Sequence, residues 1–314
     1  MTAKQYILER LKGIKSKTIK PETKLADLIF AAVMSKKFRK FSVSPETQNK
    51  IRAAIELNIK NNEPIKFAIP FGSYKLWRFQ ESPEVDWAEL FSMIYYAYWL
   101  SPITDVYMPG VCFDFCADDA ILELLDNIPS EDTERYKQGF RALIKFIQPY
   151  LPGNFQYTFS PVAERYDSKE AFLADLNIKI EELRQKNLPP LTEQQIEMMK
   201  FNVKLKTGEE LNFEKNRLLH DAYMNVSKRR TYHKTPDKIQ VSSTPWGNSI
   251  PVGTTKTSVV RFQTGVGILK KTKDGFIEYI YSPSQLEKSK FNWQEIAIKG
   301  LSGKNFKRIR IINN

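Results

Sequence analysis

The chain has 314 residues, 42% hydrophobic and 12% aromatic, and its 48 Lys and Arg against 36 Asp and Glu give a formal net charge of +12. Such a chain can bury a substantial core as one large domain or two smaller ones. Its longest apolar run, LFSMIYYAYWL at 90–100, is too short to span a bilayer and is broken by Ser92, so no membrane partner is expected. The opening MTAKQYILERLKGIKSK lacks the apolar stretch and cleavage site of a secretory signal, which makes a reducing cytoplasm the expected compartment.

The charge is unevenly placed. Residues 226–314 carry 17 Lys and Arg against 5 Asp and Glu, whereas residues 1–225 carry 31 of each. A local excess of that size marks a phosphate-bearing partner, either a polyanion or a small phosphorylated substrate, or else a solvated basic face.

In chain order, residues 2–41 read as one or two short helices, with Leu25, Leu28, Ile29, Ala32 and Val33 on one face. Ser44 and Pro45 read as N-cap and first residue of a helix to about Lys60, closed by Asn61 and Asn62. A strand follows, IKFAIPFG at 65–72, whose Pro70 and Gly72 allow close backbone approach to a ligand. Asp86 caps the helix WAELFSMIYYAYWL, and Glu89 completes a capping box.

A second strand, VCFDFCA, ends at Asp118, and a helix over 132–147 leads into a Pro-rich loop around Pro149, Pro152 and Pro161. Residues 169–187 and TEQQIEMMKF have helical spacing and read as packing elements. After Tyr223 the texture turns to β, with KIQVSSTPWG, SVVRFQTGVGIL, GFIEYIYS and FKRIRII as strands. The expectation is an α/β protein: N-terminal helices and a Rossmann-like core in residues 1–225, and a basic, β-rich region in 226–314 that completes the site. Ligands then belong at the carboxyl ends of the strands, where Pro70–Lys75 and Ala117–Asp119 share a crevice. No GxGxxG or P-loop follows either strand, so neither a dinucleotide fingerprint nor nucleotide hydrolysis is supported.

Cys112 and Cys116 would lie roughly 13 Å apart on one face of their strand, too far for a disulfide, and read as inert buried thiols. The histidines, His220 and His233, give no zinc spacing with them. The pair Asp118–Asp119 could suggest a two-metal polymerase corner, but that chemistry needs further carboxylates from separate strands. Asp105 lies in the same loop and strand system, and Asp86 is a helix cap. No metal is expected.

Read in order, PIKFAIPFGSYK, PEVDWAEL, VYMPG, CADDAILELL and TPWG resemble the isocyanide (isonitrile) synthase family of pyoverdine and dityrosine type biosynthesis. The match runs through residues 50–146 and returns around 228–262. Asp86 and Glu89 fit the family's Asp-x-x-Glu pair; Tyr107, Pro109 and Gly110 fit its Tyr-x-Pro-Gly turn; Asp118 fits the acid of Ser-Asp-Gly. Arg230, Thr231 and His233 echo an Arg-Leu-Ser-x-His strand, and Thr244, Pro245 and Trp246 fit Thr-Pro-Trp-His. Gly72 and Ser73 stand where Lys-Ser is expected, with Lys75 as substitute, while Asp119 replaces a glycine and Gly247 a histidine.

The resemblance implies a carbon transfer without a cofactor, a lyase-type step of secondary metabolism in which the amino group of an amino acid such as tyrosine or tryptophan condenses with ribulose 5-phosphate. Lys75, Arg78, Arg230, Lys238 and Arg261 are then candidates for the sugar phosphate, Arg being suited to bidentate contact. Asp118 and His233 are the candidates for proton transfer, with Lys75 beside them. Ser73, Asp86, Glu89 and Tyr107 complete the expected substrate contacts, and Trp246 would stack on an aromatic amino acid. On this reading Lys75, Asp118 and Trp246 line one pocket. The alternative is a nucleic-acid-associated protein using residues 226–314 on a phosphate backbone, with Tyr279, Tyr281, Phe291, Trp293 and Phe306 as stacking partners. A third reading is a non-catalytic scaffold with an occluded crevice.

Overall fold

The computed structural model describes residues 1–14, 24–72, 75, 84–126, 128–186, 190–193, 196, 213–245 and 247–313. Runs of β-branched and aromatic residues form the strands β1 Ile65–Phe71, β2 Val111–Ala117, β3 Phe155–Phe159, β4 Lys238–Ser242 and β5 Ile250–Pro251. They lie in the order β3-β2-β1-β4-β5, and every pairing is parallel. β2 is apolar and buried along nearly its whole length, as a strand covered on both faces of a parallel sheet must be. The direction of winding reverses between β1 and β4, so the loops leaving those strands diverge and open a crevice at their carboxyl ends.

Several of the covering helices start where the chain supplies side-chain caps. Of α1 (Ala3–Lys12), α2 (Leu25–Val33) and α3 (Pro45–Lys60), the first and third are capped in this way, by Thr2 and by Ser44, whose hydroxyl accepts the Thr47 amide ahead of Pro45. α4 (Trp87–Val106) begins with a complete capping box: Asp86 accepts the Ala88 amide, and Glu89 accepts the amide of Asp86. α4 is apolar nearly all round and correspondingly buried, which is the pattern of a helix with protein on every side. α5 (Ala120–Asp126), α6 (Ser130–Ile147), α7 (Lys169–Arg184), α8 (Phe213–Asn225) and α9 (Ser227–Tyr232) follow.

On the other side of α4 stands a second sheet, β6 (Val266–Thr272), β7 (Gly275–Tyr281), β8 (Asn292–Glu295) and β9 (Arg308–Ile312), in the order β7-β6-β9-β8. Gly267 lets it close on the start of α4, because a Cβ there would sit 2.5 Å from the Ala88 nitrogen. Trp87 Nε1 donates to the Arg308 carbonyl at 3.1 Å. In the core between the layers, Phe113 stacks on Tyr96 at 5.1 Å and Phe67 meets Trp99 edge-on at 5.4 Å. Each such fully buried ring is worth about 1.5–3 kcal/mol of hydrophobic stabilisation.

The α/β expectation holds, with three differences of detail. β3 occupies FQYTF, within what reads as a Pro-rich loop. Residues 258–265 form no strand but a loop with a 3-10 turn at Phe262–Thr264. Residues 226–314 do not stand apart, since β4 and β5 pair within the first sheet. The segment TEQQIEMMKF lies mostly outside the described residues. Among the described residues no helix is long and apolar enough to cross a membrane.

Candidate functional site

At the point where the sheet reverses, a cavity of about 220 Å³ is lined by Ile69, Pro70, Phe71 and Gly72 from the end of β1, Asp118 after β2, Ser242 and Ser243 at the end of β4, and Arg229, Thr254, Arg261, Phe262 and Gln263. Its back is apolar: Phe71 and Phe262 meet edge-on with centroids 5.0 Å apart. The loop carrying Thr254 and Arg261 is tied down by the Thr254 hydroxyl, which donates to the Val260 carbonyl at 2.6 Å.

The adjacent acids after β2 have separate fates. Asp118 faces the crevice, where Arg229 grips it with both arms, Nε to Oδ1 at 3.0 Å and Nη2 to Oδ2 at 2.9 Å. Its own amide donates to the Phe71 carbonyl, which joins the ends of β1 and β2. Asp119 turns inward, accepting the Val162 amide at 3.0 Å and pairing with Lys137 at 3.2 Å. Burial raises the Asp119 pKa against the pull of Lys137. The two carboxylates are therefore each held by a cation of the protein and point apart, which is not how a metal pair is gripped.

His233 lies behind this pair. It is the C-cap of α9, not a strand residue, so the strand echo read in RRTYH is corrected to a helix end. Burial pulls its pKa down to about 4, outweighing the attraction of Asp118, and Arg229 and Arg165 push the same way. The imidazole is neutral at neutral pH, and its Nδ1 has no hydrogen-bond partner among the described residues.

Lys75, expected in the crevice, does not line it. Its side chain is 0% exposed, and its ammonium bonds Asp86 Oδ1 at 2.8 Å and also Glu89 Oε2. Tyr136 donates to the other Glu89 oxygen at 3.0 Å. Burial pushes the Glu89 pKa up to about 7 despite the neighbouring ammonium. Lys75, Asp86 and Glu89 thus form one closed cluster at the start of α4, in which the capping box and the ion pairs share the same carboxylates.

Other expected contacts lie elsewhere. Tyr107 sits at the amino ends of the strands, donating to the Glu63 carbonyl at 2.7 Å and reaching that of Asn58 at 3.2 Å, so it closes the far side of the sheet. Gly110 of the same turn has φ +73°, and a Cβ there would collide with the Asn154 carbonyl. Arg230 is exposed and donates to Asn225 Oδ1 at 2.9 Å. Lys238 opens β4 and donates to the Tyr232 carbonyl at 2.7 Å. Of the expected phosphate cations, Arg261 lines the crevice, joined by Arg229, which was not foreseen. Ser73, Arg78 and Trp246 lie outside the described residues.

Among solved structures, the crystal structure of the PvcA protein from Pseudomonas aeruginosa is similar, with 15% sequence identity and a TM-score of 0.60 over 92% of this chain and 100% of that one. At that identity the likeness is one of fold. No protein-family model and no curated protein matches.

Proposed function

We propose that the chain is an isocyanide-synthase-like enzyme, in which the amino group of an amino acid condenses with the ketone of ribulose 5-phosphate with loss of water. Both carbon–carbon bonds at the former ketone carbon then break, so that this carbon is retained as the isonitrile. The other four leave as a one-carbon fragment at the oxidation level of formaldehyde and a three-carbon fragment with the phosphate at that of glycerol phosphate. The observation that carries this reading is the crevice at the carboxyl ends of β1, β2 and β4, where the Asp118–Arg229 pair and Arg261 face one cavity. The order of motifs that resembles the isocyanide synthases, on a fold shared with PvcA, supports the same reading.

The residue types suit the chemistry. A sugar phosphate is held by fixed cations, and the planar guanidinium forks of Arg229 and Arg261 match phosphate oxygens in pairs. Arg229 is already shared with Asp118. An arriving phosphate competes for that guanidinium and loosens the Asp118 carboxylate, which is then free to take and return protons. Imine formation and carbon–carbon cleavage both require such transfers. Ser242, Ser243 and Thr254 offer hydroxyls for the sugar, and Phe71 and Phe262 keep the back of the cavity dry. At roughly three-quarters of the ~300 Å³ lower end for ligand pockets, the cavity suits a small polar molecule. His233, held neutral, is a poor base near pH 7 and serves Asp118 as a fixed neighbour.

The test is to incubate the purified protein with ribulose 5-phosphate and each amino acid, tyrosine and tryptophan first, and to search for isonitrile products by mass spectrometry. Product that depends on both substrates is expected. A folded protein that forms none with any amino acid contradicts the proposal.

A further inference from the structure

A second cavity, of about 430 Å³, lies between the start of α4 and the second sheet, away from the crevice. It is lined by Asp86, Trp87, Phe291, Trp293, Lys304, Asn305, Arg308 and Arg310. Trp293 is 42% exposed on β8, and Phe291 stands edge-on to it with centroids 5.5 Å apart. Two guanidiniums lie over the Trp293 ring, Arg308 at 4.6 Å and Arg310 at 4.4 Å, and Arg310 is also 5.2 Å from Phe291. Arg310 is only 6% exposed, so its cation is built into the wall. At the α4 end stands Asp86, 1% exposed, whose Oδ1 is engaged by Lys75 and whose Oδ2 has no hydrogen-bond partner among the described residues.

From this we infer that the cleft binds the base-and-phosphate unit of a nucleotide. Three cations converge where the carboxylate of Asp86 is already committed to Lys75, so the cavity favours a ligand with more than one negative charge, as a phosphate has. The rings and guanidinium planes offer flat surfaces on which a base stacks irrespective of its identity. An exocyclic amine on the base supplies the donor that Asp86 Oδ2 lacks among the described residues. The unit comes either from a free mononucleotide or from a single strand, and the cleft chemistry is common to both.

The test is calorimetric titration of the full chain with adenosine monophosphate, with inorganic phosphate, and with a six-residue oligoadenylate at low and moderate salt. The variants are Arg308→Gln and Trp293→Ala, both at exposed positions, with circular dichroism to establish folding, and Arg261→Gln as a crevice control. The mononucleotide should bind at least about tenfold tighter than phosphate, and each cleft variant should weaken it about tenfold, as expected for loss of a stacking or charged partner worth roughly 1.4 kcal/mol. Arg261→Gln should leave binding within about twofold of the wild type, a change of roughly 0.4 kcal/mol. Binding of the oligonucleotide alone, steeply salt-dependent and lost in the same cleft variants, also supports the inference and identifies a strand as the source. No binding of either nucleotide, or binding indifferent to both cleft variants, overturns it. Because binding is read without turnover, this result is independent of whether the protein transfers carbon.

Discussion

Replacing Lys75 with methionine leaves Asp86 and Glu89 buried side by side with no ammonium between them. Removing one partner from a buried ion pair costs roughly 3–5 kcal/mol, which at a urea m-value of about 3 kcal/mol/M lowers the unfolding midpoint by roughly 1–1.7 M. The loss should depend on pH. Glu89 has its folded pKa raised from 4.5 to about 7, so its contribution to stability is fully present below about pH 4.5 and is lost as pH rises through 7. In the wild type that swing is about 3 kcal/mol. Without the ammonium that lowers the Glu89 pKa, the variant swings further, and protonated Glu89 retains its bonds to Tyr136 and the Asp86 amide. Urea titrations of wild type and Lys75→Met at pH 5 and pH 7.5 measure this directly. The variant should recover only about 1 kcal/mol of its deficit at pH 5, because wild-type Glu89 gains protonation, and stability, over much of the same range. A deficit below about 1 kcal/mol at pH 7.5, or one equal at both pH values, refutes the reasoning that these three side chains form a closed charge cluster.

His233 works in the opposite direction. Its folded pKa, pulled down to about 4, gives stability that is present above about pH 6.5 and lost as pH falls toward 4. His233→Gln should flatten that acid limb by about 2–3 kcal/mol, read by thermal melts from pH 7 to 4. Arg261→Gln should raise KM for ribulose 5-phosphate about tenfold or more with kcat little changed, since it removes a ground-state phosphate contact. Asp118→Asn should lower kcat by about a hundredfold or more, the usual scale for a lost proton-transfer group, while steady-state titration shows KM within a few-fold of the wild type.

The periodicities and caps made much of the scaffold legible. Ser44–Pro45 and Asp86 with Glu89 mark helix starts that the structure reproduces residue for residue, because capping is settled by neighbours a few positions apart. VCFDFCA reads as a strand and is one. β3 was missed because FQYTF is short and flanked by prolines, so its pairing with β2 comes from the sheet and not from its own sequence. The reverse error at 258–265 has the same origin, an apolar run that packs as a loop around Phe262.

The site was harder to read, since its parts depend on tertiary placement. Asp118 was identifiable as a strand-end acid. Its partner lies in the pair Arg229–Arg230, and one step along a helix turns a side chain by about 100°. Only the phase of α9 decides that Arg229 reaches the crevice while Arg230 meets Asn225. Lys75 looked like a substrate cation because its charge was visible and its burial was not. Two carboxylates from the start of α4 surround it, and nothing in the spacing of residues 75, 86 and 89 says that they meet.

The most direct test of the carbon-transfer proposal uses uniformly carbon-13-labelled ribulose 5-phosphate with unlabelled amino acids and the wild-type protein. The account predicts an isonitrile product carrying a single labelled carbon, formed by wild type and strongly diminished in Asp118→Asn. A product without label, or none at all from folded protein, contradicts it.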